Sequence, residues 1–221
     1  MNKYADIKNL FFLFCIHIIS HFLPFERSSL GQDEFGNLLR QSIWLKNFII
    51  NPDRPLMFIW LEIHKYIIEN FIFIDLYLII LFSFLPVLLS YILMKMLLKN
   101  LDLVFLVMIL YSLIISKLEI FHSSVYMHVN IVISIYLLSI ILLILFFKKK
   151  NNKIYFILSL IFYSVAILWY EQGIFLPFIV LFFYYLKINH YKFIDYIKII
   201  LPFVLVVFIY LIYRLTGSFG F

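Results

Sequence analysis

The chain has 221 residues, of which 65% are apolar, 21% aromatic and only 14% charged, and its mean hydropathy is +1.05. Soluble domains are about half apolar and about a quarter charged, so these values exclude an ordinary soluble protein and predict an integral membrane protein. The net charge of +6 does not indicate a nucleic-acid partner. The basic residues form short clusters between apolar runs instead of a patch interleaved with stacking aromatics.

Long apolar runs predict an all-α fold, a polytopic bundle of membrane-spanning helices, because about 20 residues of helix cross about 30 Å of hydrocarbon. We predict seven spans, at Ile7–Leu23, Phe71–Met94, Leu101–Ser116, Val129–Phe147, Ile154–Trp169, Ile174–Leu186 and Ile199–Tyr213. The first run has no small-residue cleavage site after it, so we expect an uncleaved anchor. Residues 1–221 are therefore expected to form a single transmembrane domain, with the lipid bilayer as its first partner.

Loop charges predict the orientation of these spans. With the N-terminus inside, eleven of the 18 lysines and arginines fall in inner segments, among them Lys8, Lys95 and Lys198, and only two of the others, Lys117 and Arg214, lie in short outer loops. Most of the acids, Glu171 among them, fall outside, whereas Asp6 falls inside. The bias of the basic residues is the positive-inside pattern. We therefore predict a cytoplasmic N-terminus, and we interpret the lysine run "KKKNNK" as an anchor of this topology.

A long outer loop, residues 24–70, is the largest segment between the predicted spans. A helix is predicted from Asp33 to about Phe48, and "NPDRPL" then ends it. A second amphipathic helix follows, with Pro55 in its first turn. Amphipathic helices of this kind lie in the plane of the membrane interface, so the loop is expected to form a layer on the outer surface.

Two adjacent carboxylates, Asp33 and Glu34, begin the first helix of this loop. Neighbouring side chains on a helix point about 100° apart, so these two acids are not expected to act as a close pair. Asp33 is placed to cap the helix. The alternative is that it faces a lipid-bounded pocket as a general base or metal ligand, with Glu34 in support.

Further polar residues are candidates for binding or catalysis on the outer side. Glu171 in "LWYEQGIFLPF" lies where the fifth predicted span ends, and an acid so close to apolar sequence needs a partner, a cavity or headgroup water. Arg54 could bind a phosphate, and the neighbouring Asp53 could cap the next helix. His64 and His128 could contact a phosphate or a sugar hydroxyl.

The order of these features resembles the GT-C membrane glycosyltransferases, especially the bacterial branch that uses polyprenyl-phosphate sugars. "GQDEFGNLLRQSIW" followed by "NPDRPL" is similar to the acidic motif and turn of that family's first outer loop. "LWYEQGIFLPF" is similar to a tyrosine-glutamate motif in some of its bacterial members. The resemblance covers about the first 175 residues, and it implies a location in a bacterial inner membrane.

The resemblance also implies roles for the matching residues. Asp33 would be the first-loop acid, a general base or a ligand of a divalent metal ion, and Glu34 the second acid of that motif. Arg54 would lie near the lipid phosphate, and Glu171 would be the later acid. The expected partners are a polyprenyl-phosphate-linked sugar and a glycan, lipid or protein acceptor, with a membrane-protein partner as a further expectation.

Two other functions are open at this stage. One is a non-enzymatic lipid-carrier flippase or transporter subunit, for which ionisable groups should lie near the bilayer midplane. The other is an inactive partial copy of a glycosyltransferase, since members of that family usually have more than seven spans. The acids concentrated on the predicted outer side favour transfer chemistry at the membrane surface.

Overall fold

A computed structural model describes residues 3–21, 55–98, 100–113, 127–149, 152–187 and 193–218. Within these ranges the chain forms eight α-helices and one 3-10 helix and contains no strand, which confirms the all-α prediction for the described residues. The α-helices are α1 (Lys3–His21), α2 (Pro55–Asn70), α3 (Ile72–Leu97), α4 (Leu101–Leu113), α5 (Met127–Lys148), α6 (Lys153–Trp169), α7 (Leu176–Lys187) and α8 (Phe193–Ser218).

Three of these helices are long and apolar enough to cross a membrane. The qualifying segments are Tyr77–Leu97 in α3, Met127–Lys148 in α5 and Ile197–Leu215 in α8. Helices α4 and α6 contain shorter apolar segments, and the count of seven spans stays a prediction. The predicted start of the second loop helix at Pro55 is confirmed by α2, whereas the helix predicted from Asp33 lies outside the described residues.

Asparagine side chains begin two of the apolar helices. The Asn100 side chain accepts hydrogen bonds from the backbone N–H groups of Asp102 and Leu103, at 3.0 and 3.1 Å, at the start of α4. Asn152 accepts from the N–H of Ile154 at 3.1 Å at the start of α6. The first N–H groups of a helix lack intrahelical partners, so these short polar breaks set where α4 and α6 begin.

The structure divides into two compact units, with breaks inside α2 after Leu61 and inside α5 after Ser134. In the first unit, α1, α3 and α4 pack around a core whose buried members are Leu13, Val87, Tyr91, Val104 and Met108. Two polar contacts join α1 to α3. His17 Nε2 lies 3.0 Å from Ser83 Oγ, with both residues fully buried, and Asp6 forms an ion pair with Lys95.

The Asp6–Lys95 pair bears on the predicted alternation of spans. Asp6 lies in the first turn of α1 and Lys95 in the last turn of α3, so the two helices are antiparallel. Loop charges place both residues on one side of the membrane, and the ion pair agrees with that placement. Which side this is stays a prediction.

The second unit contains α6, α7 and α8 with the N-terminal part of α2 and the C-terminal part of α5. Serines join α5 to α6: Ser139 Oγ donates to the carbonyl of Ser159 at 2.8 Å, and Ser159 Oγ donates to the carbonyl of Ser139 at 2.7 Å. Helices in membranes commonly associate through small residues and hydroxyl groups of this kind. Phe203 of α8 then packs against Phe156 and Tyr163 of α6, so α8 lies beside α6.

Candidate functional site

The candidate site is built on the short turn between α6 and α7, residues Tyr170–Ile174, which we call the glutamate turn. Helix α6 ends at Trp169, and Tyr170 is extended, with φ −160° and ψ 118°. Its N–H still donates to the carbonyl of Ala166 at 2.8 Å. Glu171–Gly173 then form a 3-10 helix, closed by a 3.0 Å hydrogen bond from the N–H of Ile174 to the carbonyl of Glu171.

Two tyrosine hydroxyls hold the ends of the glutamate turn. Tyr136 of α5 donates to the carbonyl of Tyr170 at 3.0 Å, and Tyr163 of α6 donates to the carbonyl of Ile174 at 2.5 Å. The two rings meet edge to face, with centroids 5.9 Å apart. A backbone carbonyl that leaves the helical pattern costs free energy in apolar surroundings unless a donor reaches it. The tyrosines supply those donors.

Gly173 fits the turn against the Tyr136 ring because it has no side chain. A Cβ at this position would lie 2.4 Å from Tyr136 Cε2 and 2.5 Å from Cδ2. These are atoms in the body of a ring that is only 2% exposed, so the ring has little freedom to retreat. The close approach of backbone to ring therefore depends on glycine and fixes the position of the turn that carries Glu171.

The Glu171 carboxylate forms an ion pair with Arg214, which lies near the end of α8. Arg214 Nη1 donates to Glu171 Oε1 at 3.2 Å, and the two side chains are 41% and 21% exposed, respectively. A guanidinium group has five N–H donors in a fixed plane, so its geometry allows contacts with more than one oxygen acceptor. A partly exposed carboxylate and a partly exposed guanidinium group thus form a charged centre beside the glutamate turn.

Aromatic residues accompany this centre. Trp169, the last residue of α6, packs against Trp60 of α2 with ring centroids 6.0 Å apart. Tyrosine and tryptophan are enriched where membrane-spanning segments meet the headgroup layer. The composition around the glutamate turn is therefore that of a membrane interface.

The structure locates only part of the predicted site. Of the catalytic candidates, Glu171 is described, while Asp33 and Glu34 lie outside the described residues, as do the binding candidates Asp53 and Arg54. The convergence of Asp33, Arg54 and Glu171 on one cavity therefore stays a prediction.

The two histidine candidates are buried. The side chain of His64 in α2 is 2% exposed, and that of His128 in the first turn of α5 is 4% exposed. Both histidines take part in further contacts within the protein. Their contact with a phosphate or sugar hydroxyl stays a prediction. Because both are buried, a ligand would have to pass between the surrounding side chains to reach them.

Sequence reasoning missed Arg214, Tyr136, Tyr163 and Gly173. Loop charge had already placed Arg214 and Glu171 on the same side of the membrane, and that shared side was the available signal for their pairing. A tyrosine inside an apolar span needs a partner for its hydroxyl, which marks Tyr136 and Tyr163 without naming the partner. Gly173, two residues after Glu171, is one of only five glycines in the chain.

No metal centre is found in the described ranges: no three histidine, cysteine, aspartate or glutamate side chains there come together as a cluster able to hold a metal ion. Asp33, the metal ligand that the family resemblance implies, is outside those ranges. The role of a divalent ion therefore stays a prediction.

The described chain is thus an all-helical protein with three helices long and apolar enough to span a membrane. In comparisons with known proteins, no family model, no curated protein and no solved structure matches the sequence or the fold.

Proposed function

We propose that the protein is a membrane glycosyltransferase that moves a sugar from a polyprenyl-phosphate carrier to an acceptor on the outer face of a bacterial inner membrane. The observation that carries the proposal is the Glu171–Arg214 pair on the glutamate turn. A guanidinium group beside a carboxylate, at the end of an apolar helix, suits a ligand with an anionic head and a hydrocarbon tail.

In the proposed reaction the acceptor hydroxyl oxygen bonds to the anomeric carbon of the sugar as the bond from that carbon to the phosphate oxygen breaks. Asp33 takes the hydroxyl proton as general base, and polyprenyl phosphate leaves with the bonding electrons. Arg214, together with Arg54, stabilises the negative charge on the departing phosphate. Glu171 orients Arg214, because its carboxylate accepts a hydrogen bond from Nη1 of the guanidinium group.

The experiment compares surface glycans in cells that lack the protein and carry one variant each. Asp33→Asn removes the base and should lower glycan transfer by about 100-fold or more, within the range of general-base contributions. Glu171→Gln and Arg214→Lys should each lower it, because the first removes the orienting charge and the second the planar donor set. Glycans are measured by mass spectrometry at matched levels of membrane expression.

Asp6→Asn is the matched control, since Asp6 is also an acid paired with a cation but belongs to the first unit. It should support wild-type glycan levels. Normal glycans in cells without the protein would remove the transferase proposal altogether. If deletion changes the glycans but Asp33→Asn and Glu171→Gln both restore them, the protein acts in glycan assembly by another route and the site assignment is wrong.

A further inference from the structure

The other end of α6 carries a second polar turn, which we call the lysine turn: Lys148, Lys149, Asn152, Lys153 and Tyr155. The sequence of residues 148–155, "KKKNNKIY", contains four lysines and no acid. Lys148, Lys149 and Lys153 are all exposed. By contrast, Lys95, which loop charge places on the same side of the membrane, is paired with Asp6.

Hydrogen bonds hold the described residues of the lysine turn. The N–H of Lys149 donates to the carbonyl of Leu145 at 2.9 Å, and the N–H of Asn152 donates to the carbonyl of Lys149 at 3.3 Å. Lys149 Nζ donates to the Tyr155 hydroxyl at 3.0 Å and lies 5.2 Å from the centre of that ring. The ammonium group of Lys149 is therefore held in place but remains exposed.

The position of Lys153 is not explained by helix stability. It is the first residue of α6, where the helix dipole disfavours a cation. Its side chain is exposed, and its charge therefore works against α6 instead of supporting it. An external anion near the turn would offset that cost.

The location of the turn indicates which anion it fits. Met127–Lys148 is long and apolar enough to cross a membrane, so a bilayer around it would place the lysine turn at the level of the headgroups. The ring of Tyr155 suits the same level. Basic residues next to a spanning helix are attracted to anionic lipids.

We propose that the lysine turn binds the phosphate of an anionic phospholipid in the leaflet at the C-terminal end of α5. Lys149 and Lys153 contact the headgroup, and Tyr155 holds the Lys149 ammonium group towards it. The proposal does not depend on sugar transfer, since it concerns the end of α6 opposite the glutamate turn.

The experiment uses the full chain, purified in detergent and titrated with phosphatidylglycerol or phosphatidylcholine, with the first bound lipid measured by native mass spectrometry. The wild type should prefer phosphatidylglycerol. Lys149→Gln/Lys153→Gln should weaken phosphatidylglycerol binding by about 25-fold, from about fivefold for each lysine near an anionic surface. Lys149→Arg/Lys153→Arg keeps both charges and should retain the preference.

Lys8→Gln/Lys198→Gln is the matched control, because it also removes two exposed lysines from the predicted inner side but leaves the turn unchanged. It should bind phosphatidylglycerol within about twofold of the wild type. Equal weakening in both double variants, or no lipid preference in the wild type, would overturn the proposal. Competition by millimolar glycerol phosphate at constant ionic strength would also overturn it, since the turn would then be a site for free phosphate.

Discussion

The glutamate turn and the lysine turn lie at the two ends of α6. They differ in which parts of the protein contact their charged side chains and backbone carbonyls. At the glutamate turn, hydroxyls from α5 and α6 reach the backbone, and an arginine from α8 pairs with the acid. At the lysine turn, Lys149 and Asn152 form hydrogen bonds with nearby residues of the chain, and three lysines are exposed. One turn is held by tertiary contacts and the other mainly by its own residues.

This difference distinguishes the two polar turns. Donors from neighbouring helices fix the glutamate turn, so a ligand would meet Glu171 and Arg214 in a set geometry, as transfer chemistry requires. The lysine turn presents exposed positive charges. Such charges suit a lipid headgroup, which can be bound in more than one orientation. Four predictions test how much individual contacts, mainly at these two turns, contribute to stability.

The largest effect is expected from Gly173→Ala. Its Cβ would overlap the Tyr136 ring, and overpacking of this kind costs about 1–3 kcal/mol, so the free energy of unfolding should fall by an amount in the upper part of that range. Unfolding in denaturing detergent measures the loss. In a Tyr136→Leu background, which makes room for the Cβ, Gly173→Ala should cost less than it does in the wild type. No loss in the single variant would show that the turn is less tightly held than the close approach indicates.

The second prediction compares one hydroxyl from each turn. Tyr163→Phe removes the donor to the carbonyl of Ile174 and should lower the free energy of unfolding by about 1–2 kcal/mol, because it leaves a partly buried acceptor unsatisfied. Tyr155→Phe removes a hydroxyl that only accepts from the exposed Lys149 and should change it by less than about 0.5 kcal/mol. Similar values for the two variants would contradict the contrast between the turns.

The third prediction concerns the serine contact between α5 and α6. Ser139→Ala/Ser159→Ala removes both interhelical hydrogen bonds and should cost about 1 kcal/mol, because such bonds in membrane proteins average about 0.6 kcal/mol. Ser164→Ala is the control, since Ser164 Oγ donates to Leu160 of its own helix. The unfolding midpoints of the two variants in detergent should differ, and equal midpoints would show that the serine contact contributes no stability.

The smallest effect on stability is expected from the ion pair. Both partners are partly exposed, and exposed pairs contribute about 0–1 kcal/mol, so Glu171→Gln should hardly change the unfolding midpoint. Any change should shrink further in about 1 M salt, where screening acts over about 3 Å. Loss of glycan transfer with an unchanged midpoint would show that the pair serves function and not stability. A large midpoint shift would contradict this and show that the pair mainly stabilises the fold.

Several features of the fold were predictable because they depend on short stretches of sequence. Pro55 begins α2 as predicted, since proline suits the first turn of a helix. The breaks before α4 and α6 follow from Asn100 and Asn152, which supply acceptors to the first N–H groups. The all-α character follows from apolar runs that leave the backbone no partner except its own helix.

The candidate site was less predictable because its contacts join distant parts of the chain. Glu171 was recognised from its local surroundings, but its partner Arg214 is 43 residues away. Tyr136 and Tyr163 each contain a hydroxyl whose partner no local pattern specifies. The close contact of Gly173 with the Tyr136 ring depends on how the helices pack, and rules based on residue spacing do not predict it.

The sequence by itself determined that this chain is helical, is apolar enough for a membrane and has polar turns between its helices. Composition and periodicity determine this because they set the free-energy cost of exposing each segment to water. Only the tertiary structure decided that the acid of one turn would face an arginine while the lysines of another stayed exposed. The reason is physical: a hydrogen bond or ion pair needs two groups within about 3–4 Å, and that proximity depends on how the helices pack.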